Sequence, residues 1–160
     1  MDYAGITLTV NTFISVTEGA MQTGGTNPNV GVQVDAGSSS RVTLNNDGSL
    51  RVTGGDPTGS KTLTLNVTVL SANTDPASAY YPVVGLIVKQ TTVGAEVSNA
   101  WGSYTVGTGA AFNTLQVLDK DTVPVGAGSV SYEFFVLIQT PTAAGSIGDY
   151  GLIDPRITNL

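Results

Sequence analysis

The chain has 160 residues, only 11% of them charged, with no histidine, no cysteine and a net charge of −6. Without His no side chain has an unperturbed pKa near neutrality, and without Cys there is no thiolate nucleophile, disulfide or Cys/His zinc site. Twelve acidic residues against six scattered basic ones disfavour nucleic acid and anionic membranes as partners, and a hydrophobic share of 41% excludes a disordered chain.

This length suits one domain with a substantial core. No apolar run approaches the roughly 18 residues needed to cross a bilayer as a helix. The first ten residues lack the basic and continuous apolar regions of a signal peptide, so assembly in the cytoplasm is expected.

Alternation of period two dominates from the start. Ile6, Leu8, Val10, Ile14 and Val16 share one parity and Thr7, Thr9, Asn11 and Ser15 the other, which predicts a long half-buried strand or two joined near Thr12. Phe13 breaks the pattern. A Gly/Asn/Thr-rich loop over Glu18–Asn29 leads to a short strand at Val30–Val34. Arg41–Leu44 and Leu50–Thr53 flank Asn45-Asn46-Asp47-Gly48, whose Asp-Gly pair supplies the positive φ of a tight hairpin. Leu63, Leu65, Val67 and Val69 alternate cleanly with polar residues.

Val83–Val88 and Tyr132–Ile138 are apolar at both parities. They predict sandwich-centre strands covered on both faces, or faces that meet another subunit. Trp101–Val106, Phe112–Leu118, Tyr150–Ile153 and Arg156–Leu160 complete the set, and Pro141–Gly148 has room for a single helical turn. Eight to ten short strands with turn signals between them predict one all-β domain: a β-sandwich, jelly-roll or Ig-like, with little or no helix.

Few residues suggest chemistry. Asp119-Lys120-Asp121, Asn45–Gly48 and Asp56 offer oxygens to a hard cation, but no calcium-loop spacing is present, and the simpler reading is solvated turn residues. Glu133, among Tyr132, Phe134 and Phe135, is read as an outward residue pairing with Lys or Arg across the sheet rather than as a glycosidase acid. The serines have no histidine base. Trp101, Tyr104, Tyr80 and Tyr81 offer a sugar platform, although a lone Trp is more often a core plug or interface anchor. The expectation is therefore no enzyme, no catalytic residue, no metal and no cofactor.

In size, in its Gly/Thr/Ser/Val-rich β pattern, in the missing signal peptide and in its extended apolar terminus, the chain resembles the decoration (cement) and minor capsid proteins of double-stranded DNA phages and viruses. That resemblance implies a virion protein that forms dimers or trimers and clamps the major capsid protein, without nucleic acid or membrane. On this reading Met1–Val16 and Tyr150–Leu160 are attachment arms, with Ile6, Leu8, Val10, Phe13, Tyr150, Leu152, Ile153, Ile157 and Leu160 at the interface. Such arms bind by adding a strand to a neighbour's sheet edge. The alternatives are an exported filament subunit or adhesin that polymerises by strand donation, and a carbohydrate-binding module.

Overall fold

Twelve strands make up the computed structural model, which describes residues 2–11, 22–23, 30–71, 81–90, 101–106, 114–123, 125–139, 150–154 and 156–160. They are β1 (Asp2–Val10), β2 (Gln22–Thr23), β3 (Val30–Val34), β4 (Val42–Leu44), β5 (Leu50–Val52), β6 (Leu63–Ser71), β7 (Tyr81–Gln90), β8 (Trp101–Val106), β9 (Thr114–Asp119), β10 (Val130–Gln139), β11 (Tyr150–Asp154) and β12 (Arg156–Asn159). No helix occurs among the described residues. The expected all-β sandwich is what forms, with more strands than the eight to ten anticipated. The expected helical turn at 141–148 lies outside the described residues.

The first sheet runs β3-β1-β6-β9-β8. Its centre is the pair β1 and β6, parallel along the whole of β1, while the other neighbours are antiparallel. Alternation sets its inner face. Ile6 lies in register between Val34 and Val67, and Val67 in turn opposes Leu115. One residue on, Thr7, Thr68 and Thr114 form the outward row.

In the second sheet β10 is the hub. It pairs on one side with β7, and on the other with β12 over its first half and β11 over its second. β12 then adds β5 and β4, and β11 adds the two-residue β2. The β4–β5 hairpin matches the sequence reading: Gly48 has φ of +78°, and its amide donates to the Asn45 carbonyl at 2.9 Å. Counting β1–β6, β2–β11 and β5–β12, three ladders are parallel, so the wiring is mixed.

One core lies between the sheets. Ala4, Ile6, Leu8, Val10, Leu63, Leu65, Val67, Val69, Leu115 and Val117 meet Val42, Leu50, Val52, Val130, Tyr132, Val136, Ile153 and Ile157. Fully burying one such aliphatic side chain contributes about 1.5–3 kcal/mol. The two terminal segments therefore do not behave as arms within the chain. β1 is hydrogen-bonded on both sides, and β11 and β12 are interior strands of the second sheet. The doubly apolar Val83–Val88 differs from the expected centre strand among the described residues, where β7 pairs with β10 alone. β10, the other doubly apolar run, does hold the centre.

Candidate functional site

At one end of the sandwich the inner face stops being apolar. In β9 the buried parity runs Leu115, Val117, Asp119, so a carboxylate occupies the last core position and is fully buried. Two residues later Asp121 takes a left-handed backbone, φ +49°, the only positive φ outside glycine among the described residues. This conformation is costly for a residue with a Cβ. It turns a second carboxylate inward, also fully buried. The Asp121 amide donates to Asp119 Oδ1 at 2.8 Å, and Asn159 Nδ2 from β12 donates to the same oxygen at 3.1 Å.

Neighbouring backbone holds this turn in place. Asp56 and Thr122 form a parallel bridge, with the Asp56 amide donating to the Asp121 carbonyl and the Val123 amide to the Asp56 carbonyl. Gly55 is pressed against the turn: a Cβ there would sit 2.8 Å from the Asp121 carbonyl oxygen and 2.6 Å from a Val123 methyl. Asp56 organises its own loop, accepting from the Thr58 amide at 2.8 Å and the Ser60 hydroxyl at 2.7 Å.

Arg41 ties the elements together. Its guanidinium pairs with Asp2 Oδ2 at 2.6 Å and with Asp121 Oδ2, and it donates to the carbonyls of Thr53 at 2.8 Å and Lys61 at 3.3 Å. One side chain thus links the start of β1, the end of β5, the chain before β6 and the buried turn after β9. Outside it lies an open groove of about 610 Å³ lined by Asp2, Arg41, Thr53, Gly54, Ser60, Lys61 and Thr62. Across the end of the core, Trp101 packs edge-on against Tyr132, with centroids 5.3 Å apart and planes at 85°.

The electrostatics follow from burial. Desolvation pushes Asp119 up to about 7, against the opposing pull of the Asp121 and Asn159 amide donors. Burial likewise raises Asp121 to about 6, with Arg41 limiting the rise. Burial and the nearby charges of Asp119 and Asp121 push the Tyr132 phenol up to about 12. Asp2 is held below the ordinary carboxylate range, chiefly by its bond from Arg41. For Arg41 burial opposes the charge, but the bond to Asp2 and the proximity of Asp121 outweigh it and raise its pKa. Asp119 Oδ2, Asp121 Oδ1, Asn159 Oδ1 and the Tyr132 hydroxyl are buried without a hydrogen-bond partner.

Of the expected interface residues, most of those described lie in the core. Ile6, Leu8, Val10, Ile153 and Ile157 are core residues at 0–1% exposure, and Leu160 is half-buried. Phe13 lies outside the described residues, as do the side chains of Tyr150 and Leu152. Trp101 is half-buried and packs against the core, as a core plug would. Tyr80, with the side chains of Tyr81 and Tyr104, lies outside the described residues.

Of the oxygen-rich turns, Asp47 and Asp56 are the turn residues expected, bonded to Ser49, Thr58 and Ser60. Asp119 and Asp121 are not: solvated turn residues would be exposed. The register sets Glu133 between Lys89 and Arg156, the cross-strand placement anticipated for it. Arg41, Asn159 and Tyr132 escaped the sequence reading; the one available signal was Asp119 continuing the Leu115–Val117 parity.

Among the described residues no group of three or more His, Cys, Asp or Glu side chains gathers as a metal site. No protein-family model matches the chain, and no curated protein is significantly similar to it.

Proposed function

We propose that the protein is a structural subunit that works by self-association, and that it serves as a virion decoration or minor capsid protein on a shell of major capsid protein. The observation that carries the assembly reading is β7. It is a ten-residue edge strand, Tyr-Pro-Val-Val-Gly-Leu-Ile-Val-Lys-Gln, paired on one side only among the described residues. Its length is about 33 Å. Short edges, like the three-residue β4 and two-residue β2, discourage pairing between molecules, whereas a long apolar one is a template for it.

In this reading the β7 edge pairs with a second copy and closes a dimer or trimer. Many modest contacts repeated around a shell then give strong attachment through avidity, without chemistry. The narrower virion assignment draws on the resemblance in composition and size. The core placement of β1, β11 and β12 moves the expected contact from the chain ends to this edge.

The test is amide hydrogen exchange across residues 81–90 at low and high protein concentration. Protection that grows with concentration in β7, and not in β1 or β6, supports the reading. Protection independent of concentration contradicts it. The same edge also suits an exported filament subunit that accepts a donated strand, and growth beyond a fixed small oligomer would favour that alternative.

A further inference from the structure

The buried end of the sandwich has too many acceptors and too much negative charge for its own residues to satisfy. Among the described residues the two fully buried carboxylates, Asp119 and Asp121, have Arg41 as their one ion-paired cation, an excess of one negative charge. Asp119 Oδ2, Asp121 Oδ1 and Asn159 Oδ1 accept nothing, and all three residues are fully buried. The Tyr132 hydroxyl, within electrostatic reach of both carboxylates, also lacks a partner. An unsatisfied buried polar group costs about 1–3 kcal/mol, and more when charged. Asp121 and Asn159 both donate to Asp119 Oδ1 and Tyr132 feels both carboxylates, so one partner could serve all four residues.

A proton on Asp119 would make Oδ2 a donor to one neighbouring acceptor at most and leave the other unmet. A water molecule would supply two donors but no charge. A hard cation answers both deficits at once, since it takes oxygen ligands from carboxylates and neutral amide or hydroxyl groups alike.

We propose that this end of the sandwich binds one hard divalent cation of the calcium type, charge-balanced by Asp119 and Asp121 and further ligated by oxygens of Asn159 and Tyr132. The groove over Arg41 supplies the route in, because Arg41 both lines it and bonds to Asp121. With two carboxylates the site is of modest affinity, about 10⁻⁴–10⁻³ M. Its occupancy would lock β9, β10 and β12 together at the end where Arg41 already joins β1 and β5. This inference is independent of the assembly reading.

Terbium luminescence tests it, because Tb³⁺ replaces Ca²⁺ at oxygen sites and is sensitised by nearby Tyr132 and Trp101. Excitation of the aromatic rings should give Tb³⁺ emission that CaCl₂ displaces. Asp119→Asn and Asp121→Asn should each weaken binding about tenfold or more. In parallel, the unfolding temperature at about pH 8 should rise with CaCl₂ up to about 10 mM in the wild type. It should not rise in Asp119→Asn, whose fold is checked by circular dichroism.

Emission that is equal in wild type and Asp119→Asn would place Tb³⁺ on surface carboxylates and overturn the proposal. So would a wild-type unfolding temperature indifferent to CaCl₂, which would leave protonation of Asp119 or a buried water as the answer.

Discussion

Replacing Arg41 with methionine keeps most of the side-chain volume and removes the one cation bonded to a fully buried carboxylate. Asp121 would then be buried and unpaired, and removing one partner of a buried ion pair costs about 3–5 kcal/mol. Arg41 itself is 19% exposed and lies on an open groove, so water relieves part of the loss. The lower end, about 3 kcal/mol, is expected. In a domain of this size that lowers the unfolding temperature by roughly 6–12 °C. Urea denaturation at about pH 8 reads it directly, with the single, half-buried Trp101 as the fluorescent reporter. The double variant Arg41→Met/Asp121→Asn should regain most of the stability, since the buried carboxylate that Arg41 balanced is gone and Asp2, its other partner, is exposed. A loss below about 1 kcal/mol, the value of a surface ion pair, would refute the reasoning. So would a double variant whose loss is the sum of the single ones.

Asp119 and Asp121 have folded pKa values of about 7 and about 6, above the unfolded value of 3.8. The folded state therefore binds more protons between those limits, and without added divalent cation its stability should fall as pH rises from about 4 to about 7. Asp119→Asn should flatten most of that slope, and an unchanged slope would be contrary to the account. Asp2 and Asp56 act in the opposite sense: both are held low in the fold, so their contribution is lost as pH drops below the ordinary carboxylate range. Gly55→Ala forces a Cβ onto the Asp121 backbone and should cost about 1–3 kcal/mol by denaturation, whereas Gly37→Ala meets no atom within 4 Å and pays only for its positive φ. Deleting residues 1–10 removes an interior strand of the first sheet and should abolish cooperative unfolding in calorimetry; a truncated protein that still unfolds cooperatively would restore the attachment-arm reading.

Strand positions were legible because a half-buried sheet writes a period-two pattern, and Leu63–Val69 and Val30–Val34 fell where alternation put them. The hairpin was legible because Asp47-Gly48 specifies its turn. Pairing partners were not. Whether Ile6 buries itself against its own sheet or a neighbour's looks the same in sequence, since both need the same apolar parity, and only the topology assigns it to the core. The buried site was obscure for a related reason. Asp119-Lys120-Asp121 has the composition of a surface turn, and its partners Arg41 and Asn159 lie 80 and 40 residues away along the chain and are brought close by sheet packing. Val83–Val88 and Tyr132–Ile138 look alike in composition, yet among the described residues one pairs on a single side and the other is the hub, because strand order is a long-range property.

The most direct test of the central claim is the solution mass of the protein by size-exclusion chromatography with light scattering, over a range of concentrations. Pairing through the β7 edge predicts a discrete dimer or trimer of the 16.3 kDa chain. A monomer at every concentration would contradict it.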